Sequence, residues 1–264
     1  MYDFAYHHPK TVADAVKLLA GDSDAKALAG GQTLIPTLKM RLAQPSKIVD
    51  LGGIAELKGI KLEGKNLVIG AGTTHAAVAT SAEVQKAIPA LARLAGDIGD
   101  NQVRNRGTIG GSIANADPAA DYPAAVLALN ATIKTNKREI KADDFFKGMF
   151  TTALQDGEII TAVSFPVPDK AAYVKFPQPA SRFALVGVFV ATSGKTVRVA
   201  VTGAGPHAFR LPGMEESLGK SFAPAALDRF TLETQHLNDD IHASRAYRAH
   251  LVKVIAQRAV AQAG

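Results

Sequence analysis

The stretch from Arg104 to Leu129 reads RNRGTIGGSIANADPAADYPAAVLAL and joins three kinds of residue in a short space. It opens with a glycine-rich segment, continues through small polar and acidic residues, and ends in an Ala/Leu run that predicts a buried helix. Glycine has no Cβ, so a ligand or another backbone segment can approach it closely. The stretch therefore indicates a binding loop that leads directly into the core of the fold.

Polar side chains accompany this glycine segment. The hydroxyl groups of Thr108 and Ser112 lie beside Gly110 and Gly111, and candidate ligand-binding side chains follow at Asn115, Asp117 and Asp121. Asp121 has two interpretations at this stage. It precedes an apolar helix, so it could cap the helix N-terminus, or it could accept hydrogen bonds from ligand hydroxyls or a ring N–H.

A second glycine loop, ALAGGQTL, occupies residues 27–34. Gly30 and Gly31 fall between a predicted strand and a predicted helix, where N–H groups without intrahelical partners can bind a phosphate. Gly-Gly turns are also common as tight connections, so this loop alone is a weak signal. Two such loops far apart in sequence suit one extended ligand that carries a pyrophosphate.

Several other segments resemble known binding motifs but do not match them. GAGTTH at 70–75 lacks the third glycine of a dinucleotide-binding fingerprint and follows a predicted hairpin. SGKT at 193–196 is not a P-loop, because Phe189 stands where the first glycine is needed. The histidines show no metal-binding spacing, and the absence of cysteine excludes iron–sulfur and thiolate zinc ligation by this chain.

Composition is that of an ordinary globular protein, with 47% hydrophobic and 20% charged residues. No signal-like N-terminus and no long apolar run is present, so we expect an untargeted cytoplasmic protein without a membrane span. The net charge of +6 is spread along the chain, without the interleaved aromatics typical of nucleic-acid binding. A positive surface that docks an acidic subunit or an anionic cofactor fits equally well.

The pattern of predicted elements divides the chain into three units, residues 1–55, 56–168 and 169–264. The first is a βαβ-like unit that holds the ALAGGQTL loop, and the second combines short strands with helices, among them one amphipathic helix over 83–99. The third has antiparallel strands and a C-terminal helix. Spacing places five residues on one face of that helix: Ile241, Tyr247, Leu251, Val254 and Ile255.

With both glycine loops in place, the sequence resembles the FAD-binding medium subunits of the molybdenum hydroxylases, the family of xanthine dehydrogenase and carbon monoxide dehydrogenase. The matching stretches are AGGQTLIPTLKMR (29–41), IVDL (48–51), IGAGTTHAAV (69–78), residues 98–129, GEIITAVSFP (157–166) and KFPQPASRFALVGV (175–188). The resemblance implies an α+β structure: an FAD-binding fold of the vanillyl-alcohol-oxidase (PCMH) type, followed by a C-terminal domain of antiparallel sheet plus helices.

The resemblance also implies the cofactor-binding residues, with the N–H groups of both loops around the FAD pyrophosphate. The first loop contributes Ala29, Gly30, Gly31, Gln32, Thr33 and Leu34. The second contributes Thr108, Gly110, Gly111 and Ser112, where Ser112 replaces an Asn found in many relatives. Further positions are Ile98, which packs on the FAD, Asn115, Asp117, the acidic Asp121, Ile160 in a strand that lines the site, and Lys175 near the flavin.

The function implied is that of an oxidoreductase subunit with FAD as its only redox group and no catalytic acid or base. Molybdopterin and [2Fe-2S] clusters are expected in a large and a small partner subunit, in a dimer of heterotrimers. Electrons would pass from the clusters to FAD and on to an external acceptor. Two alternatives stay open: a stand-alone flavoenzyme that binds substrate over the flavin, and a scaffold subunit without cofactor.

Overall fold

A small parallel sheet begins the fold. The computed structural model describes residues 1–264, and in the first sheet the strands lie in the order β1, β3, β2. The elements of this unit are β1 (Ala5–His7), α1 (Val12–Leu19), β2 (Lys26–Leu28), α2 (Leu34–Lys39) and β3 (Lys47–Asp50). Strand β2, the glycine loop, α2 and β3 follow one another as predicted, so the first glycine loop joins a strand to a helix.

The second sheet has five antiparallel strands in the order β4, β5, β10, β6, β7. Its strands are β4 (Ile60–Glu63), β5 (Asn66–Gly70), β6 (Thr132–Thr135), β7 (Glu139–Lys141) and β10 (Ile160–Pro166), and a separate hairpin is formed by β8 (Phe146–Gly148) and β9 (Thr151–Thr152). The helices of this unit lie in two long connections, from β5 to β6 and from β7 to β10, which join strands that are not neighbours in the sheet. The glycine-rich stretch of residues 107–112 lies in the connection between β5 and β6.

The helices of the second unit are short. They are α3 (His75–Thr80), α4 (Ala82–Ala87), α5 (Pro89–Gly96), α6 (Asn101–Arg104), α7 (Ile109–Asn115), α8 (Tyr122–Ala128) and α9 (Ala142–Phe145). The prediction of one helix over 83–99 is wrong. Pro89 has no N–H and disfavours helical geometry at the preceding residue, and Ile88 accordingly has φ −140° and ψ 74°. The helix breaks there into α4 and α5.

An antiparallel sheet and two helices form the third unit. The elements are β11 (Lys170–Pro177), β12 (Ala184–Ser193), β13 (Thr196–Thr202), β14 (Phe209–Arg210), α10 (Pro212–Lys220) and α11 (Arg245–Ala263). The strands pair in chain order, and the predicted turn at SGK joins β12 to β13. This mixture of segregated helices and antiparallel sheets confirms the predicted α+β class.

The predicted face of the C-terminal helix is partly wrong. Leu251 and Ile255 are buried as predicted, but α11 begins only at Arg245, so Ile241 precedes the helix and is 97% exposed. Tyr247 is also exposed. The prediction extended the helix too far toward its N-terminus, where Ser244 caps it by accepting a hydrogen bond from the Tyr247 N–H.

Helix α8 links the second and third units. Every residue of α8 is buried, and the helix packs against β12 and β13 of the third sheet as well as against α5 and α7. A helix that is apolar on all sides has to be enclosed in this way. The stretch that begins with the second glycine loop therefore ends in the largest apolar cluster of the protein. None of the helices is both long and apolar enough to cross a bilayer.

Candidate functional site

The first glycine loop, residues 29–34, presents unused hydrogen-bond donors. The N–H groups from Gly30 to Leu34 donate no hydrogen bond within the chain, and the Thr33 side chain does not cap α2. Gly31 has φ +73°, a left-handed conformation that favours glycine. A run of free N–H groups at the start of a helix attracts an anion. This loop therefore has the chemistry of a phosphate cradle.

The second glycine loop, residues 107–112, uses its donors internally. The Gly110 N–H donates to the Ala71 carbonyl at 2.9 Å, and the Gly111 N–H donates to Thr108 Oγ1 at 3.1 Å. The Ser112 N–H donates to the Thr108 carbonyl at 3.0 Å. This differs from the expectation that both loops present their N–H groups to a ligand. The second loop is held in place by its own hydrogen bonds.

The structure brings the two loops into contact. A Cβ added at Gly30 would lie 2.3 Å from the Arg106 carbonyl oxygen, and one added at Gly111 would lie 3.3 Å from the Ala29 Cβ. Only glycine allows backbones to approach so closely. The two predicted loops, far apart in sequence, therefore form one continuous wall.

A third loop, residues 70–74, supports the second and was not predicted to do so. The Ala71 carbonyl accepts from Gly110, the Thr73 carbonyl accepts from the Ile109 N–H at 3.1 Å, and a Cβ on Gly110 would lie 2.5 Å from that of Ala71. The G-x-G sequence after a strand was the available signal for this loop. Its glycines pack against Leu57, which explains their presence without a ligand.

Asp121 lies at the start of α8 but does not cap it. Its carboxylate accepts hydrogen bonds from the Tyr173 hydroxyl at 2.5 Å and from Lys175 Nζ, which lies 3.1 Å from Oδ1. The N-cap interpretation of Asp121 is therefore wrong. Burial raises the pKa of Asp121 above its ordinary value, although the Lys175 ammonium and the Tyr173 hydroxyl favour the charged form.

Lys175 connects Asp121 to a further predicted residue. Its Nζ also donates to the Asp97 carbonyl at 3.0 Å, directly before Ile98, and its side chain is only 7% exposed. Three positions implied by the resemblance thus lie in one neighbourhood. Tyr173 was missed, since a tyrosine two residues before Lys175 carries no local signal of its contact with a side chain 52 positions away.

The remaining predicted residues lie in separate parts of the chain, each with its own local contacts. Ile160 opens β10 and is buried beside Thr161, whose carbonyl accepts from the Ala71 N–H at 2.9 Å. Asn115 ends α7, and Gln32 folds back so that Nε2 donates to the Gly30 carbonyl at 3.0 Å. The Asp117 carboxylate accepts from the Ala119 N–H at 2.9 Å, which closes a turn at the rim of a cavity of about 490 Å³.

Two buried aromatic side chains lie behind the second loop. The His75 and Tyr122 rings have centroids 5.3 Å apart, and neither His75 Nδ1 nor the Tyr122 hydroxyl has a hydrogen-bond partner. A Cβ on Gly107 would lie 2.5 Å from His75 Nε2. Burial, assisted by the Arg104 guanidinium, lowers the pKa of His75 to about 4. This imidazole is a neutral packing surface for the loop.

Comparison with known proteins places this arrangement in context. Residues 2–168 match the family described as the FAD binding domain in molybdopterin dehydrogenase. The chain is 37% identical to the nicotine 6-hydroxylase medium subunit of Paenarthrobacter nicotinovorans, over 98% of this chain and 96% of that one. It is 41% identical to the carbon monoxide dehydrogenase medium chain of Hydrogenophaga pseudoflava, over 85% of this chain and 83% of that one.

The solved structure of that Hydrogenophaga pseudoflava enzyme, in a form lacking the Mo-pyranopterin moiety, gives the same picture. Its matching chain superposes with a TM-score of 0.91 at 37% identity, and the match covers 99% of this chain and 97% of that one. The predicted fold type is thereby confirmed. The residues present also fit FAD. The free N–H groups from Gly30 to Leu34 suit a pyrophosphate, and Gly111, which lies against the first loop, has no side chain.

Proposed function

Because this chain belongs to the family of FAD-binding medium subunits of the molybdenum hydroxylases, we propose that it passes electrons from iron–sulfur clusters of a partner subunit through FAD to an external acceptor. The chain is part of an oxidoreductase, and its cofactor is FAD. The observation that supports the proposal most directly is the contact between the two glycine loops, one of which holds a run of free N–H donors.

FAD supplies the redox chemistry when it is bound, and the chain positions it. We propose that the N–H groups from Gly30 to Leu34 bind the pyrophosphate, while the second loop forms the opposing wall through Thr108, Gly111 and Ser112. Hydrogen bonds inside the second loop keep that wall rigid without the ligand. In this proposal the first loop binds the charged pyrophosphate, and the second loop sets the shape of the opposite wall.

We propose that a buried cluster sets the electrostatic environment of the flavin; it consists of Asp121, Tyr173 and Lys175. Lys175 Nζ is held by both the Asp121 carboxylate and the Asp97 carbonyl, so its position is set before a cofactor arrives. A buried cation paired in this way presents a fixed charge at low reorganisation cost. Ile98 and Ile160 are proposed to exclude water around it.

The other redox groups lie outside this chain. The Hydrogenophaga pseudoflava enzyme has a molybdenum cofactor, and this chain has no cysteine to bind an iron–sulfur cluster. We propose a large molybdopterin subunit, a small [2Fe-2S] subunit and a dimer of such heterotrimers, located in the cytoplasm. The three larger sheets, one in each unit, support a proposed division of the chain into residues 1–55, 56–168 and 169–264.

The decisive test is a visible absorption spectrum of the purified complex, followed by acid release and identification of the flavin. We expect one FAD for each copy of this chain, and reduction of that flavin after substrate is added to the complex. The same chain purified alone and reloaded with FAD should not turn over substrate. Turnover by the isolated chain would support a stand-alone flavoenzyme instead, and a colourless chain that fails to bind added FAD would leave only a scaffold role.

A further inference from the structure

The turn after α2 leaves large apolar side chains in solvent. Met40 is 69% exposed and Leu42 is 71% exposed, and Leu42 joins none of the apolar clusters of the core. The exposed cations Lys39 and Arg41 alternate with them, and the Arg41 guanidinium lies 5.5 Å from the centre of the Tyr2 ring. The four residues from Lys39 to Leu42, together with Tyr2, are called the 39–42 surface below.

The backbone of this turn is unusual for its sequence. The Leu42 N–H donates to the Thr37 carbonyl at 3.0 Å, which closes α2 with the hydrogen bond of a Schellman motif. The left-handed position of that motif normally holds glycine, but here it holds Arg41 with φ +59°. The following apolar residue normally packs back on the helix, whereas Leu42 lies in solvent. Strain combined with an unburied apolar side chain indicates a partner outside the chain.

The position of the 39–42 surface narrows the choice of partner. One helix of six residues joins it to the free N–H groups of the first glycine loop, a distance of about 9 Å along the helix axis. A subunit seated here would lie beside the proposed FAD pyrophosphate. A partner that delivers electrons to FAD has to bind next to the cofactor, and a subunit on this surface would do so from the pyrophosphate side.

The charge of the surface supports the same choice. Neither Lys39 nor Arg41 forms an ion pair within the chain. A second copy of this chain on a two-fold axis would bring these cations against each other, which is unfavourable. An acidic rim around an apolar centre would complement them. We propose that the 39–42 surface docks the iron–sulfur subunit through such an acidic and apolar face, an inference that rests on the function proposed above.

The first test uses the three-subunit complex with an affinity tag on this chain. The double variant Met40→Glu/Leu42→Glu is compared with Leu62→Glu, which adds a charge at another exposed leucine, on β4. We expect the ratio of iron to FAD in the double variant to be at least tenfold lower than in wild type, with the amount of FAD per chain unchanged. The control variant should match wild type in both quantities.

Three outcomes of this test are distinguishable. A wild-type complex without FAD would overturn the proposed function and the inference together. Normal FAD and normal iron in the double variant would overturn the docking surface alone. Loss of the large subunit with iron retained, or loss of dimerisation with iron retained, would assign the surface to the wrong partner and also overturn it.

The second test separates docking from structure at Arg41. Glycine suits φ +59°, so Arg41→Gly should raise the melting temperature of the chain while removing one docking cation. We expect a several-fold weaker retention of the iron–sulfur subunit by this variant, and a smaller effect of added salt on retention than in wild type. A purely structural arginine would give unchanged retention in the Gly variant, and that result would contradict the proposal.

Discussion

The two glycine loops have similar sequences and different structures. In the first loop, the N–H groups from Gly30 to Leu34 have no acceptor in the chain, and Gly31 adopts a left-handed conformation. In the second loop, Gly110 and Gly111 both donate within the chain, and neither has a positive φ. A Gly-Gly pair thus marks either a place for a ligand or a place where backbones meet.

The difference lies in what each glycine faces. A Cβ on Gly110 would lie 2.8 Å from the Ala71 carbonyl oxygen, so this glycine is needed for packing between loops. Gly31 is needed for its backbone conformation, which turns successive N–H groups outward. The second loop is therefore part of the packed core, and the first loop lies against it. Variants on each side can test this difference.

The largest effect is expected behind the second loop, at Asp121. Asp121→Ala would leave the buried Lys175 ammonium without its carboxylate, and breaking a buried pair in this way costs about 3–5 kcal/mol of unfolding free energy. Chemical denaturation of the purified chain measures this loss. The double variant Asp121→Leu/Lys175→Met removes both charges and should recover most of the stability. A stable single variant would mean that the buried ion pair does not stabilise the fold.

The next largest effect is the dependence of the unfolding free energy on pH, which we attribute to His75. Its pKa is about 4 in the folded chain, below the ordinary 6.5, so the unfolded chain takes up a proton at a pH where the folded chain does not. The stability that depends on neutral His75 is complete above pH 6.5 and decreases as the pH falls toward 4. The full loss is on the order of 3 kcal/mol.

The control for this pH dependence is His75→Gln, which keeps a polar side chain but cannot take up the proton. Denaturation curves at pH 7 and pH 4.5 are compared for both proteins, because carboxylates also titrate in this range. We expect wild type to lose on the order of 2–3 kcal/mol more than the variant between the two values. Equal losses would show that His75 does not contribute to the acid sensitivity of the fold.

A somewhat smaller effect is expected where the loops touch, at Gly30. The new Cβ of Gly30→Ala would lie 2.3 Å from the Arg106 carbonyl, so the loops must separate, at a cost of about 1–3 kcal/mol. FAD affinity should fall at least tenfold, as titration calorimetry would detect. The matched control is Gly219→Ala in α10, where an added Cβ meets nothing within 4 Å. Unchanged FAD affinity in Gly30→Ala would show that contact between the loops is not needed for binding.

Local sequence chemistry was sufficient to predict much of this arrangement. Both glycine loops, the hairpin of β4 and β5, and the buried helix after Asp121 follow from turn residues and apolar patterns. The break at Pro89 was also readable, because proline restricts the residue before it. The prediction of one helix over 83–99 followed the apolar pattern and left this restriction out.

Contacts between distant segments could not be predicted in the same way. The role of Asp121 depends on Tyr173 and Lys175, which reach it only because β11 passes α8 in the folded chain. The unequal use of N–H groups by the two loops depends on the Ala71 and Thr73 carbonyls, which belong to a third segment. Such partners are set by tertiary packing, and a single sequence does not encode them locally.

The smallest expected effect compares one threonine in each loop. The Thr108 hydroxyl accepts a hydrogen bond from the Gly111 N–H, so Thr108→Ala should lower the free energy of unfolding by about 0.5–2 kcal/mol. The Thr33 side chain caps nothing, so Thr33→Ala should change stability by less than about 0.5 kcal/mol.

FAD affinity should show the opposite ranking in these two variants. We expect Thr33→Ala to weaken FAD binding several-fold, because its hydroxyl lies among the free N–H groups that are proposed to bind the pyrophosphate. Denaturation of the FAD-free chain and calorimetric titration with FAD measure the two quantities separately. If Thr33→Ala were the less stable variant and Thr108→Ala the weaker binder, the roles assigned to the two loops would have to be exchanged.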